Sequence, residues 1–220
     1  MTGAIRKHLL LLGHRGARAR KSIPENTFAS FDQALEDGCD GFEFDVRMTR
    51  DGQAVICHDA QNDGVEIASA ASQDCAGLPR LEDVLACYHV RAFLDIELKV
   101  SGVEKATISA LRRYPPARDF VVSSFLPEVL QTVHAEDPSI SLGVICQTDD
   151  ELVRWKELAI QYVIPHHKLM RANLIKDMKN AGKKILVWTV NSRAEMQRLR
   201  EWGVDGIISD DTRLLARTLS

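Results

Sequence analysis

Short apolar runs alternate with longer amphipathic stretches eight times along this chain, and that alternation narrows the fold more than any other feature. The apolar runs, read as strands, lie at about 8–13, 41–46, 92–98, 119–124, 140–146, 161–165, 184–190 and 206–209. Helical stretches are expected near 27–37, 81–88, 103–113, 127–136, 149–158, 171–181, 193–201 and 211–218. Parallel strands need a crossover connection, so strict strand–helix alternation implies a parallel sheet covered by helices. At 220 residues, closure into a (β/α)8 TIM barrel is the economical solution, near the low end of that fold's size range. The expected class is therefore α/β, one barrel domain over 1–220, with an open doubly wound sheet as the alternative. No repeat period, low-complexity tract or linker divides the chain. Thr27, Pro127 and Ser192 mark helix starts, and Gly38, Gly182 and Gly203 mark helix stops.

One segment breaks the alternation. Residues 47–59 carry Asp51-Gly52 between two strand-like runs, a hairpin signal. The arm would rise from the C-terminal end of the second strand, which in barrels is the catalytic face. A two-residue loop would put Asp45 opposite His58, and a bulged turn would shift that pairing by one. A short insertion follows, at about 60–80.

Bulk properties mainly exclude. A formal net charge of −3 gives no overall drive toward nucleic acid or an anionic membrane, so a negative ligand must be drawn by local charge. Five scattered cysteines without a CxxC pair argue against structural zinc and a disulfide framework, and favour a reducing compartment. Arg6, Lys7 and His8 precede Leu9–Leu12, a run too short for a signal segment or a membrane span. A cytoplasmic protein without stable membrane insertion is the expectation.

Four clusters with chemical potential sit at strand ends: Gly13-His14-Arg15-Gly16, Glu43-Phe44-Asp45, His58-Asp59 and Asp95-Ile96-Glu97-Leu98-Lys99. Alternate residues of a strand share a face, so Glu43 points with Asp45, and Asp95 with Glu97 and Lys99. Carboxylates inside a barrel are costly unless paired or bound to metal. Glu43, Asp45 and Glu97 form an all-oxygen set suited to a hard cation, Mg²⁺ or Ca²⁺. Those three carboxylates, a divalent cation, a phosphodiester, Arg15 and Lys99 together sum to neutrality. Arg15 offers a two-donor grip on phosphate and Lys99 a point charge. His14 and His58 can each accept or donate a proton near neutral pH.

Blander roles compete for several residues. Glu97 and Lys99 form a salt bridge in one reading. Asp95 is read as a supporting or core hydrogen-bonding group, Glu25 as support for Arg15 or for the first helix, and Asp59 as orienting its neighbours. Phe125 and Trp188 are expected to line the mouth and meet substrate. His166-His167 reads as a solvated loop, Asp210-Asp211 as the cap of the last helix, and Lys183-Lys184 with Arg198 and Arg200 as solvated surface.

Together the clusters resemble the signature of the glycerophosphodiester phosphodiesterase family. The matching motifs are His14-Arg15-Gly16, Glu25-Asn26-Thr27, Glu43-Phe44-Asp45, Asp51-Gly52, His58-Asp59, Glu97-Leu98-Lys99, Ser123-Ser124-Phe125, Trp188-Thr189-Val190-Asn191 and Gly203-Val204-Asp205-Gly206, in family order. The resemblance implies a barrel, a catalytic pair at His14 and His58, metal ligands at Glu43, Asp45 and Glu97, and phosphate contacts at Arg15 and Lys99. It implies a small-molecule glycerophosphodiester substrate, cleaved to an alcohol and glycerol 3-phosphate. It leaves open direct attack by water or attack by a substrate hydroxyl through a cyclic phosphate. One departure stands out: only 21 residues separate Asp59 from Leu81, without the Arg-Thr element of the family's longer insertion. A more open site with looser preference is the expectation. Two rivals use the same residues, a metal-assisted aldolase or lyase on the same barrel, and a non-catalytic module that binds lipid headgroups.

Overall fold

In this computed structural model, residues 8–220 are described, and Arg6 and Lys7 lie outside them. In chain order the strands are β1 (Leu10–Gly13), β2 (Gly41–Met48), β3 (Ala54–Ile56), β4 (Gln61–Asn62), β5 (Val65–Glu66), β6 (Phe93–Leu98), β7 (Phe120–Ser124), β8 (Leu142–Cys146), β9 (Tyr162–Pro165), β10 (Lys184–Val187) and β11 (Gly206–Ser209). The helices are α1 (Phe28–Glu36), α2 (Leu81–Tyr88), α3 (Glu104–Arg113), α4 (Pro127–Glu136), α5 (Asp149–Leu152), α6 (Ala172–Asn180), α7 (Arg193–Trp202) and α8 (Thr212–Leu219).

Eight strands, β1, β2 and β6 to β11, pair in parallel, and β1 pairs with both β11 and β2, which closes the barrel. This is the (β/α)8 TIM barrel that the alternation implied. Most boundaries fall where the sequence put them. The strand expected over 184–190 ends at Val187, because Trp188 leaves the ladder for a single bridge to His166. The helix expected over 149–158 is α-helical only to Leu152 and tightens to a 3-10 turn over Val153–Lys156.

Two cores sandwich the sheet. Outside it, Phe31 of α1 stacks on Phe42 at 4.2 Å, and Tyr88 of α2 meets Phe42 edge-on at 4.9 Å. Inside it, Leu12, Phe93, Val121, Tyr162 and Leu186 plug the lower barrel. Lys183 and Lys184, expected as solvated surface, are half-buried below this plug. The Lys184 ammonium donates to Asp119 at 2.7 Å, and Lys183 to the Ile160 carbonyl at 2.7 Å. Arg198 and Arg200 are exposed, as expected.

The β2–β3 hairpin arm is present, but its register is the bulged one. Val46 pairs with Ile56 and Met48 with Ala54, so Asp45 faces Cys57, not His58. The cause lies in the turn: Gly52 takes φ +82 and its amide bonds back to Thr49, giving a three-residue loop in place of two. The insertion that follows is ordered. It folds as a β4–β5 ribbon and two 3-10 turns, Ile67–Ser69 and Ser72–Cys75, around a small core of Val55, Ile67, Ala70 and Cys75.

Candidate active site

Residues that face the barrel axis alternate along each strand, and their upper tier divides the mouth in two. From β1, β2 and β6 come His14, Glu43, Asp45, Asp95, Glu97 and Lys99. Ile145, Ile164, Trp188 and Ile208 come from β8 to β11. Nearly all of these residues, with Arg15, His58, Phe125 and Gln147, line one cavity of about 310 Å³. One wall is charged and the opposite wall apolar.

The charged wall follows from strand register. Glu43 lies beside Asp95 and Asp45 beside Glu97 in the β2–β6 ladder, so four acidic side chains occupy two adjacent tiers. Glu43, Asp45 and Glu97 are buried, and one oxygen from each lies within 4.8 Å of the others. Glu43 Oε1 is buried without a hydrogen-bond partner, and Asp45 Oδ1 has only the Lys99 ammonium, at 3.3 Å and off hydrogen-bond geometry. As a bare set these groups are electrostatically costly. Burial first, then the charges of Asp45 and Glu97, push the Glu43 carboxyl far above its usual range. Burial and Asp45 lift Glu97 to about 7, and burial lifts Asp95 to about 7 against the Ser123 hydrogen bond. Asp45 goes the other way: Lys99, Arg15 and the Asn26 amide outweigh its burial and hold it low. Convergent oxygen donors with unused lone pairs and unrelieved repulsion fit a hard divalent cation, and the cluster can hold one.

Arg15 is fixed by its neighbours. It takes φ +52, its amide donates to Glu43 Oε2 at 2.9 Å, and its guanidinium donates to Glu25 at 2.7 Å and faces Asp45 at 3.3 Å. Gly16 follows at φ +81 against Ser30, where a Cβ would lie 2.4 Å from the hydroxyl. Glu25 also accepts from Arg18 at 2.6 Å, so it braces the β1–α1 loop as well as Arg15. Lys99 donates to Glu97 at 2.6 Å, so the simple salt bridge exists, but the same ammonium also reaches Asp45.

Both histidines present one ring nitrogen to a carboxylate. His14 Nδ1 pairs with Asp210 at 2.7 Å, and His58 Nδ1 with Asp59 at 2.7 Å. A carboxylate only accepts, so each Nδ1 carries a proton and each Nε2 is left for chemistry. His14 Nε2 lies 3.9 Å from Glu43. Burial sets His58 below the usual imidazole range, though the Asp45 charge opposes it. His58 reaches the site despite the shifted register because Arg47 holds its carbonyl, at 2.9 and 2.7 Å.

Phe125 and Trp188 meet edge-to-face at 5.6 Å on the apolar side, and the Lys99 ammonium lies 5.8 Å from the Phe125 ring centre. Gln147 stands at the rim. His166 and His167 are not a solvated loop. The His166 ring packs against Trp188 at 5.2 Å, and His167 Nδ1 bonds Glu195 at 2.7 Å. Asp211 alone caps α8, through the Leu214 amide, whereas Asp210 turns inward to His14.

A family model described as the glycerophosphoryl diester phosphodiesterase family matches residues 14–84 and 67–214. The chain belongs to this family. It is thereby an enzyme of the phosphodiesterase class. A glycerophosphodiester phosphodiesterase from Caldanaerobacter subterraneus subsp. tengcongensis is 30% identical over 94% of this chain and 96% of its own. Among solved structures, a glycerophosphodiester phosphodiesterase from Thermotoga maritima superposes with a TM-score of 0.83 at 22% identity, over 96% of this chain and 98% of its own. An Oleispira antarctica phosphodiesterase in complex with the product sn-glycerol-3-phosphate gives 0.81 at 25% identity, over 95% and 96%.

Every residue marked in the sequence as a site candidate lies in or beside the cavity. Sequence reasoning missed Asn26, whose amide donates to Asp45 at 2.8 Å, and Asp210 with its partner Asn191 at 2.7 Å. The signal for Asp210 was available: it continues the inward alternation of Gly206 and Ile208. Asn26 stood inside the matched motif Glu25-Asn26-Thr27, but its role was not readable there, since its φ of +58 in the β1–α1 loop decides where its amide points.

Proposed function

We propose that this chain hydrolyses glycerophosphodiesters to an alcohol and glycerol 3-phosphate, with His14 and His58 as the acid–base pair. Glu43, Asp45 and Glu97 would hold a divalent cation, Mg²⁺ or Ca²⁺. When bound, it would neutralise charge growing on the phosphoryl oxygens and lower the pKa of a coordinated water. Arg15 and Lys99, both ion-paired to Asp45, supply positive charge on two sides of that carboxylate and would bind the phosphate oxygens. One imidazole takes a proton from the attacking water at Nε2, and the other gives a proton to the departing alkoxide. Asp210 and Asp59 keep the two rings in the required tautomer and stabilise their charged forms. The apolar wall of Phe125, Trp188 and the isoleucines would carry the carbon chain of the substrate.

The observation that carries the reading is the convergence of three buried carboxylates and two carboxylate-tied imidazoles on one cavity. A module that only bound headgroups would not need both imidazoles, and a lyase would not need Arg15 and Lys99 beside the carboxylates. The test is release of glycerol 3-phosphate from a panel of glycerophosphodiesters, with and without chelator, by the wild type, His14→Ala and His58→Ala. Each substitution is expected to slow turnover by about 10²–10⁴-fold. Release untouched by chelator and by both substitutions would refute the mechanism.

A further inference from the structure

Asp95 is the one acidic group of the cavity that the proposed chemistry leaves without work. It faces the barrel axis two residues before Glu97, beside Glu43 in the ladder, and its side chain is 1% exposed. Oδ1 accepts from the Ser123 hydroxyl at 2.6 Å, which fixes the rotamer of the carboxylate. Oδ2 is buried, has no hydrogen-bond partner, and belongs to a side chain that lines the cavity. Asp95 stands outside the trio whose oxygens gather within 4.8 Å. Along β6 it sits one inward-facing position before Glu97, farther from the mouth, in a cavity whose apolar lining includes Ile145, Ile164 and Ile208. Those residues offer no donor to a polar group. A buried acceptor with an idle lone pair normally meets a donor, and here that donor must come from whatever fills the cavity.

We infer that Asp95, braced by Ser123, is a specificity-determining residue whose Oδ2 accepts a hydrogen bond from a free hydroxyl of the substrate's glycerol half. This rests on the function proposed above and goes one step beyond it. The glycerol half enters deeper than the phosphate, with its carbons on the isoleucine wall and one hydroxyl on Asp95. The alcohol half is left toward the mouth, where Gln147 and the exposed Asp59 carboxylate stand. Selection for glycerol then comes from the barrel floor, which the shortened insertion does not touch, and the alcohol is selected weakly.

The test compares two diesters that share one alcohol, one carrying glycerol and the other an unsubstituted propyl group. Wild type should prefer the glycerol diester by about ten- to hundredfold in kcat/KM, the scale of one buried hydrogen bond to a charged group. In Asp95→Ala that preference should fall to within a fewfold of unity. Asp95→Asn, isosteric and still an acceptor but uncharged, should keep a preference between those two values, which separates recognition from misfolding. Mn²⁺ titration by calorimetry should give similar affinities for the wild type and Asp95→Asn. A preference unchanged in Asp95→Ala, or a loss of Mn²⁺ affinity in Asp95→Asn that parallels its loss of rate, would overturn the assignment. Wild type that cleaves both diesters equally would sink this inference alone, whereas wild type that cleaves neither would sink the proposed function as well.

Discussion

At the residue scale the two imidazoles are held with unequal firmness. The Asp210 carboxylate beside His14 is 19% exposed, whereas the Asp59 carboxylate beside His58 is 80% exposed. Solvent and salt weaken the second pair far more than the first. Asp210→Asn should therefore lower kcat by about 10- to 100-fold, and Asp59→Asn by less than about tenfold. Steady-state kinetics on both variants checks this, and the reverse order would contradict the account. Asp210 also predicts a pH effect on stability. Burial opposes its ionisation, but the His14 hydrogen bond and charge, with Asn191 and Arg18, hold its folded pKa far below the ordinary value. A depressed folded pKa stabilises the protein above the unfolded value near 4, and that contribution is lost as pH falls from there. The acid limb of a stability–pH curve should be shallower for Asp210→Asn than for wild type, measured by denaturant unfolding at pH 6 to 3.

Among the elements, the β1–α1 loop and the β2–β3 arm do most to place side chains. The loop depends on Gly16, whose φ of +81 and contact with Ser30 leave no space for a methyl group. Gly16→Ala should cost about 1–3 kcal/mol, through strain and overpacking, and should reduce turnover with it, because His14 and Arg15 are its neighbours. Thermal unfolding read against activity tests both halves. The arm is tied to the insertion at its tip. Asp51 accepts from the Thr49 hydroxyl at 2.6 Å and from the Ser72 amide and hydroxyl at 2.9 and 2.8 Å. Those bonds, the Thr49 one first, lower its pKa to about 2. The tie is complete above about pH 4 and is lost as pH falls toward 2. Hydrogen-exchange protection over residues 60–80, taken relative to the intrinsic exchange rate at each pH, should fall in Asp51→Ala at neutral pH, and in wild type only on acidification.

For the whole molecule, a bound cation would relieve the repulsion inside the barrel, and so should stabilise the fold. At a hundred times its Kd a ligand adds about 2.7 kcal/mol, or roughly 5–11 °C in Tm at this chain length. Mg²⁺ or Ca²⁺ should raise Tm by that order in wild type and by far less in Glu43→Gln, as read by scanning calorimetry. Fold and site were legible to different depths in the sequence. Strand–helix alternation gave the barrel, because periodicity survives in one dimension. Two-residue alternation gave the inward faces of Glu43, Asp45 and Glu97 for the same reason. The hairpin register was not legible, since one glycine dihedral decides it. The role of Asn26 and the docking of His166 on Trp188 depend on where distant loops meet, which spacing along the chain does not encode, whereas the inward face of Asp210 follows from the alternation of Gly206 and Ile208. No helix among the described residues is long and apolar enough to cross a membrane. The most direct measurement is a crystal soaked with Mn²⁺ and glycerol 3-phosphate, read by anomalous scattering. The account predicts one peak about 2.0–2.6 Å from oxygens of Glu43, Asp45 and Glu97, with Nε2 of His14 and of His58 both facing the phosphate. A peak elsewhere, or either ring turned away from the phosphate, would contradict it.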